Sequence, residues 1–128
     1  MSASGILQAA TVITKTTQTA VGAILGTENA KHITLFGTYV KGDETGLDIV
    51  ISFQRTANGT AHPLSVWSPT AGVYTRVDAK YRLTASANFA IQLDISAVDF
   101  LLITQGGSNN DGTPTGTLAM SYTLGFDR

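Results

Sequence analysis

From Leu47 to Gln54 the chain alternates without a break. Leu47, Ile49, Ile51 and Phe53 fall on one side, and Asp48, Val50, Ser52 and Gln54 on the other. Side chains of an extended strand point to opposite faces in turn, whereas a helix repeats every 3.6 residues, so this run is a strand with one apolar face. The rhythm recurs where Ile33, Leu35, Gly37 and Tyr39 alternate with Thr34, Phe36, Thr38 and Val40. It returns at Phe89, Ile91, Leu93 and Ile95, and again at Leu118, Met120, Tyr122, Leu124 and Phe126, whose opposite face (Thr117, Ala119, Ser121, Thr123, Gly125) is small and flat. Val98–Gln105 is apolar on both faces through Phe100, Leu101, Leu102 and Ile103, the pattern of a strand buried inside a sheet.

Turn chemistry separates these runs. Lys41-Gly42-Asp43-Glu44-Thr45-Gly46 joins two strands as a hairpin, and Asn58-Gly59 carries the signal of a type I′ turn. Further strands are expected near His62–Trp67, at Val73–Val77 or Lys80–Ala85, with a loop over residues 68–72 and a long polar turn over residues 106–114. About eight strands with no helical period after residue 30 predict an all-β fold, an antiparallel β-sandwich, jelly roll or barrel.

Residues 1–30 read differently. Only Lys15 and Glu28 are charged before Lys31, and Ala and Thr dominate. Short strands suit Val12–Lys15 and Thr19–Leu25; a helix over residues 3–13 is the rival, which the threonines at 14, 16, 17 and 19 argue against extending. The expected organisation is an extended N-terminal arm (residues 1–30) and a β-sandwich domain (31–128). A low-charge arm of this kind seeks a surface, either on its own sandwich or on another subunit.

The whole chain is poor in charge: 13% of its 128 residues, against roughly 25% in an average soluble domain. Such a surface suits coverage by neighbours. A net charge of −1 supplies no field for nucleic acid, and the lack of cysteine removes disulfides, thiolate nucleophiles and Cys-based zinc sites. The N-terminus lacks the basic start of an export signal, and Val21–Leu25 is too short to cross a bilayer, so a protein made and kept soluble without export machinery is expected.

Catalytic patterns are missing. No Gly-x-Ser-x-Gly elbow is present, and the two histidines, His32 and His62, sit at strand edges without a partner in any ligand spacing. Asn109-x-Asp111-Gly112 is a fragment of a calcium-loop pattern, but Gly107 and Leu118 stand where further ligands belong, and an Asx-rich turn is the simpler reading. Asp43 and Glu44 are turn residues, as are Asp94 and Asp99; neither pair faces across a cleft as glycoside hydrolysis requires. Arg76, Lys80 and Arg82 lie near Tyr74 and Tyr81, but Asp78 among them favours a solvated face or ion pairs between subunits. Trp67 and Tyr74 flank the 68–72 loop and suit closure of the core, a protein interface or sugar stacking.

Three stretches resemble a known group: Lys41-Gly42-Asp43-Glu44-Thr45 with Leu47-x-Ile49-x-Ile51-x-Phe53; Tyr81-x-Leu83-Thr84-Ala85-Ser86-x-Asn88-Phe89-x-Ile91; and Gly112-Thr113-Pro114-Thr115-Gly116-Thr117 leading to Leu124-Gly125-Phe126. Over residues 31–126 the chain is similar to small virion proteins of tailed bacteriophages, some of them head decoration (cement) proteins with sandwich or jelly-roll folds. The resemblance implies a non-enzymatic structural protein of the virion, assembled in the host cytoplasm, without cofactor, metal or membrane. It implies a homo-oligomer, a trimer being favoured, bound to the major capsid protein or another virion protein. Contacts are then expected through the arm (Ile6, Leu7, Val12, Ile13, Val21, Ile24, Leu25) and the loop residues Trp67 and Tyr74. A tail, neck or fibre adaptor and a carbohydrate-binding module are the alternatives.

Overall fold

The computed structural model describes residues 2–14, 18–108 and 113–126, and their regular structure is strand throughout. In chain order these strands are β1 (Ser2–Val12), β2 (Thr19–Ala20), β3 (Leu25–Gly26), β4 (His32–Val40), β5 (Gly46–Gln54), β6 (His62–Pro63), β7 (Ser65–Thr70), β8 (Val73–Asp78), β9 (Lys80–Leu83), β10 (Ala87–Asp94), β11 (Phe100–Ser108) and β12 (Thr117–Gly125). One sheet has the order β1-β12-β4-β10. In the second, β11 and β5 are central; β2 and β3 share the far side of β11, and β6 and β9 share the far side of β5.

With β2 and β3 counted as one broken strand, β6 and β9 as another, and the separate β7–β8 hairpin set aside, the described residues hold eight strand positions. The first pairs with the eighth, the second with the seventh, the third with the sixth and the fourth with the fifth, all antiparallel. That pairing is what results when one long hairpin is rolled onto itself, and it makes the fold a jelly roll, an antiparallel sandwich of two sheets.

The alternation seen in the sequence explains the core. Ile33, Leu35 and Tyr39 of β4 and Leu118, Met120 and Leu124 of β12 point inward from the first sheet and are buried. Leu47, Ile49 and Ile51 of β5 and Leu101 and Ile103 of β11 meet them from the second. Strand β5 is more buried than its alternation suggests, because its polar row is also covered. Arg82 grips Asp48 from β9, and Gln54 Nε2 donates 2.9 Å to the Gly59 carbonyl of the loop that folds back over it.

Strands β1, β2 and β3, all within the expected arm, pair with β12 and β11 and so belong to the two sheets. Strand β1 is an edge strand registered on β12 from Ser2↔Gly125 to Val12↔Thr117, with two register shifts. Ile13 and Val21 lie in the core, Leu7 and Leu25 pack against it, and Ile24 is half-buried. Of the arm residues expected at an interface, only Ile6 and Val12 stand exposed. Gly22, at φ 70°, lies between β2 and β3 and passes so close to the Leu7 carbonyl that no side chain fits there.

The Asn58-Gly59 signal is also realised differently. The Gly59 N–H bonds the Thr56 carbonyl at 3.0 Å and Asn58 alone takes a positive φ (61°), so Asn58 is the third residue of a four-residue turn, not the first centre of a type I′ hairpin.

Because the first strand and Val21 belong to the core, deletion of residues 1–25 is expected to abolish cooperative thermal unfolding followed by circular dichroism. A truncated chain that melted sharply would contradict this placement.

Candidate interaction surfaces

The fifth strand position is interrupted. Residues 62–63 pair with Ser52 and Phe53, the Leu64 N–H bonds the Ile51 carbonyl, and pairing with β5 resumes only at Lys80. Between them β7 and β8 leave the sheet as a separate hairpin, its neck closed by the Ala79 N–H on the Leu64 carbonyl at 2.7 Å. Its two-residue tip is Ala71-Gly72, with φ of 50° and 77°, the positive pair that a type I′ turn needs.

Cross-strand register assigns the ribbon two faces. Trp67 lies opposite Arg76 and Pro69 opposite Tyr74; on the reverse, Val66 lies opposite Val77 and Ser68 opposite Thr75. Trp67 is 64% exposed and Tyr74 70%, so neither closes the core. The physical reason is that the hairpin has no second layer against it, and the Arg76 guanidinium, 5.6 Å from the Trp67 ring centre, covers only part of the indole. Two-stranded ribbons without a covering layer are marginal in water.

The second surface is the outer face of the sheet β1-β12-β4-β10. Strands β1, β4 and β12 contain no Asp, Glu, Lys or Arg, and β10 contains only its last residue, Asp94. Ile6, Val12, Phe36 and Val40 project from it into solvent. A depression of about 410 Å³ lies between Ile6 and Phe36, floored by Ala119 and Ser121. Among the described residues, every large apolar side chain that is exposed belongs either to this face or to the hairpin. Sequence reasoning singled out Trp67, Tyr74, Ile6 and Val12 but passed over Phe36 and Val40; their apolar character on the otherwise polar side of β4 was the available signal.

Polar groups elsewhere serve the fold. Glu44 is buried and accepts hydrogen bonds from the Tyr39 hydroxyl, from the Gly42 N–H at 2.9 Å and from the Gly116 N–H at 2.9 Å. Burial works to raise its pKa, but these donors outweigh it and hold the carboxyl at about 2. The same burial, together with the bond to the carboxylate, pushes the Tyr39 hydroxyl up. Asp43 Oδ1 accepts from the Thr115 N–H at 3.2 Å, tying its turn to the approach of the last strand, and Asp94 Oδ1 accepts from the Ser96 N–H at 2.9 Å, a turn bond. The basic cluster is dispersed: Arg76 stacks on Trp67, and Arg82 forms a bidentate pair with Asp48 (2.7 and 3.0 Å) within the subunit, not between subunits. His32 and His62 are exposed at strand starts. Among the described residues no three His, Cys, Asp or Glu side chains are grouped to hold a metal, and no helix is long and apolar enough to cross a membrane. The calcium-loop fragment at residues 109–112 lies outside the described residues.

Since Glu44 titrates at about 2 when folded and near 4.5 when exposed, its stabilisation is complete above pH 4.5 and is lost as pH falls toward 2. Glu44→Gln is expected to lower stability at pH 7 by about 2–3 kcal/mol and to flatten the loss between pH 4.5 and 2, read from urea midpoints across that range.

No protein-family model matches the chain, and no curated protein matches it by sequence. Solved structures do match in fold. The crystal structure of the SPBc2 prophage-derived protein YomS superposes with a TM-score of 0.59 at 13% identity, over 97% of this chain and 92% of that one. A structure described as Bacillus endospore appendages, a family of disulfide-linked pili, superposes with a TM-score of 0.52 at 11% identity, over 99% of this chain and 88% of that one. Over nearly its whole length, then, this chain shares its fold with these two solved chains.

Proposed function

We propose that the chain is a non-enzymatic structural protein of a phage particle, a capsid decoration protein that docks on the major capsid protein and reinforces the shell. The observation that carries this reading is the confinement of exposed large apolar side chains to two features, the β7–β8 hairpin and the uncharged sheet face. Aromatic residues in solvent-facing positions anchor interfaces, and a ribbon with no layer of its own gains one by docking. The sequence resemblance to virion proteins and the fold likeness to a prophage-derived protein support the same reading. Contact runs through Trp67 and Tyr74, with Ile6 and Val12 the arm positions free to join it.

A pilus-like or tail-associated assembly is the second reading, favoured by the likeness to the appendage subunit. With no cysteine, this chain joins any such assembly without disulfide links. Copy number separates the two: hundreds per particle for a decoration protein, few for a tail adaptor.

Trp67 is the single tryptophan, so its emission reports on the hairpin alone. Docking on purified capsids is expected to shift that emission to the blue. Trp67→Ala with Tyr74→Ala is expected to leave the melting temperature within about 2 °C and to cut capsid occupancy at least about tenfold, as loss of interface anchors does. Full occupancy by the double variant would refute the hairpin contact. A shift on glycans but not on capsids would favour a carbohydrate-binding module instead.

A further inference from the structure

The uncharged sheet face has a pattern of its own. Cross-strand register places Ile6, Ser121, Phe36 and Ala90 in one row across the four strands β1, β12, β4 and β10. The row reads large, small, large, small. On either side of it the outward residues are small or uncharged polar: Ser4, Thr123, Thr34 and Gln92 in one direction, Ala119, Thr38 and Asn88 in the other. The depression of about 410 Å³ is bounded by the two large side chains and Ser121 and extends over the neighbouring row at Ala119, Thr38 and Asn88.

We propose that this face is the interface of a two-fold homodimer, in which the sheets of two copies stack face to face about an axis parallel to the strands. Such an axis reverses the row. Ile6 of one copy then lies over Ala90 of the other, and Phe36 over Ser121, so each knob meets a hole at every position of the row. A two-fold axis along the row instead sets Ile6 against Ile6 and Phe36 against Phe36. Interdigitation of large with small side chains is how stacked sheets fill the space between them, and stacked sheets keep their strands within about 30° of one another, as this axis does.

The area is sufficient. Four strands at about 4.8 Å spacing and eight residues at about 3.3 Å rise give a face of about 19 by 27 Å, so a stacked pair withdraws at least about 1,000 Å² from water, the size at which specific interfaces begin. The hairpin ribbon, two strands wide, covers less than half of that footprint, so a second copy of the sheet suits this face better than the hairpin of a neighbour. Nothing charged is stranded at the centre, since the one charged residue of these strands, Asp94, lies at the end of the edge strand β10. A two-fold pair replaces the three-fold assembly that the family resemblance implies.

The pairing is a property of the isolated chain and stands apart from the capsid reading; the variants below leave the hairpin intact. Light scattering on the purified full-length chain is expected to give twice the 13.4 kDa chain mass, and Ser121→Arg, placed on the open face, to give the single-chain mass with an unchanged melting temperature. The native chain has no cysteine, so Ile6→Cys combined with Ala90→Cys is a clean probe. Within one copy these positions are three strand spacings apart, about 14 Å, whereas across stacked sheets they are about 10 Å apart, too far for the roughly 7 Å of a disulfide but within reach of a short bis-maleimide. With that reagent the double variant is expected to form a covalent dimer and each single variant to remain uncross-linked. A monomer or trimer by mass overturns the proposal, as does efficient cross-linking of Ile6→Cys alone, which belongs to the other axis.

Discussion

A carboxylate shielded from water determines where this chain crosses from one sheet to the other. Glu44 stands in the connection between β4 and β5, which leaves the first sheet and enters the second. Its donors come from the strand it leaves (Tyr39), from its own turn (Gly42) and from the start of the last strand (Gly116). Three separated pieces of chain therefore converge on one anion. Removal of any donor leaves a buried charge short of partners, a heavier penalty than the bond itself is worth. Gly116 passes so close to the carboxylate that a side chain there would collide with it, which ties the glycine to the glutamate. Thr115 and Asp43 repeat the link outside the buried pair.

Much of this architecture is legible in the residues. The alternations at 33–39, 47–53, 89–95 and 118–124 are the strands that enclose the core, and the doubly apolar 98–105 run supplies the first six residues of β11. What periodicity does not carry is pairing partner. Residues 2–12 look like a free arm because they are rich in small side chains and nearly uncharged, yet those properties also suit an edge strand whose mate lies more than a hundred residues away. Turn type was equally hidden. Asn-Gly at 58–59 has the composition of a type I′ turn but closes a different one, while the true I′ tip is Ala71-Gly72, where an alanine takes a left-handed conformation that alanine rarely adopts. Glu44, beside Asp43 in a polar stretch, resembles any solvated turn acid; its burial depends on Gly116, which local sequence does not reveal.

The two exposed surfaces differ in kind. The sheet face is broad, flat and uncharged, with a shallow relief that matches its own mirror order. The hairpin is narrow and carries aromatics beside Arg76 and Asp78, so it can read the charge of whatever it meets. In the assembly we propose, the chain pairs through one and attaches through the other, and its low overall charge suits a surface that neighbours cover.

The hairpin buds from the middle of a strand, and the strand continues past it as though it were absent, because Leu64 and Ala79 close the gap between them. A cassette mounted this way is free to evolve. Adding or removing one residue pair exchanges which side of the ribbon presents the rings, and longer grafts at the Ala71-Gly72 tip displace nothing in the body. The hairpin can thus change in length and in the face it presents while the two sheets that carry it stay the same.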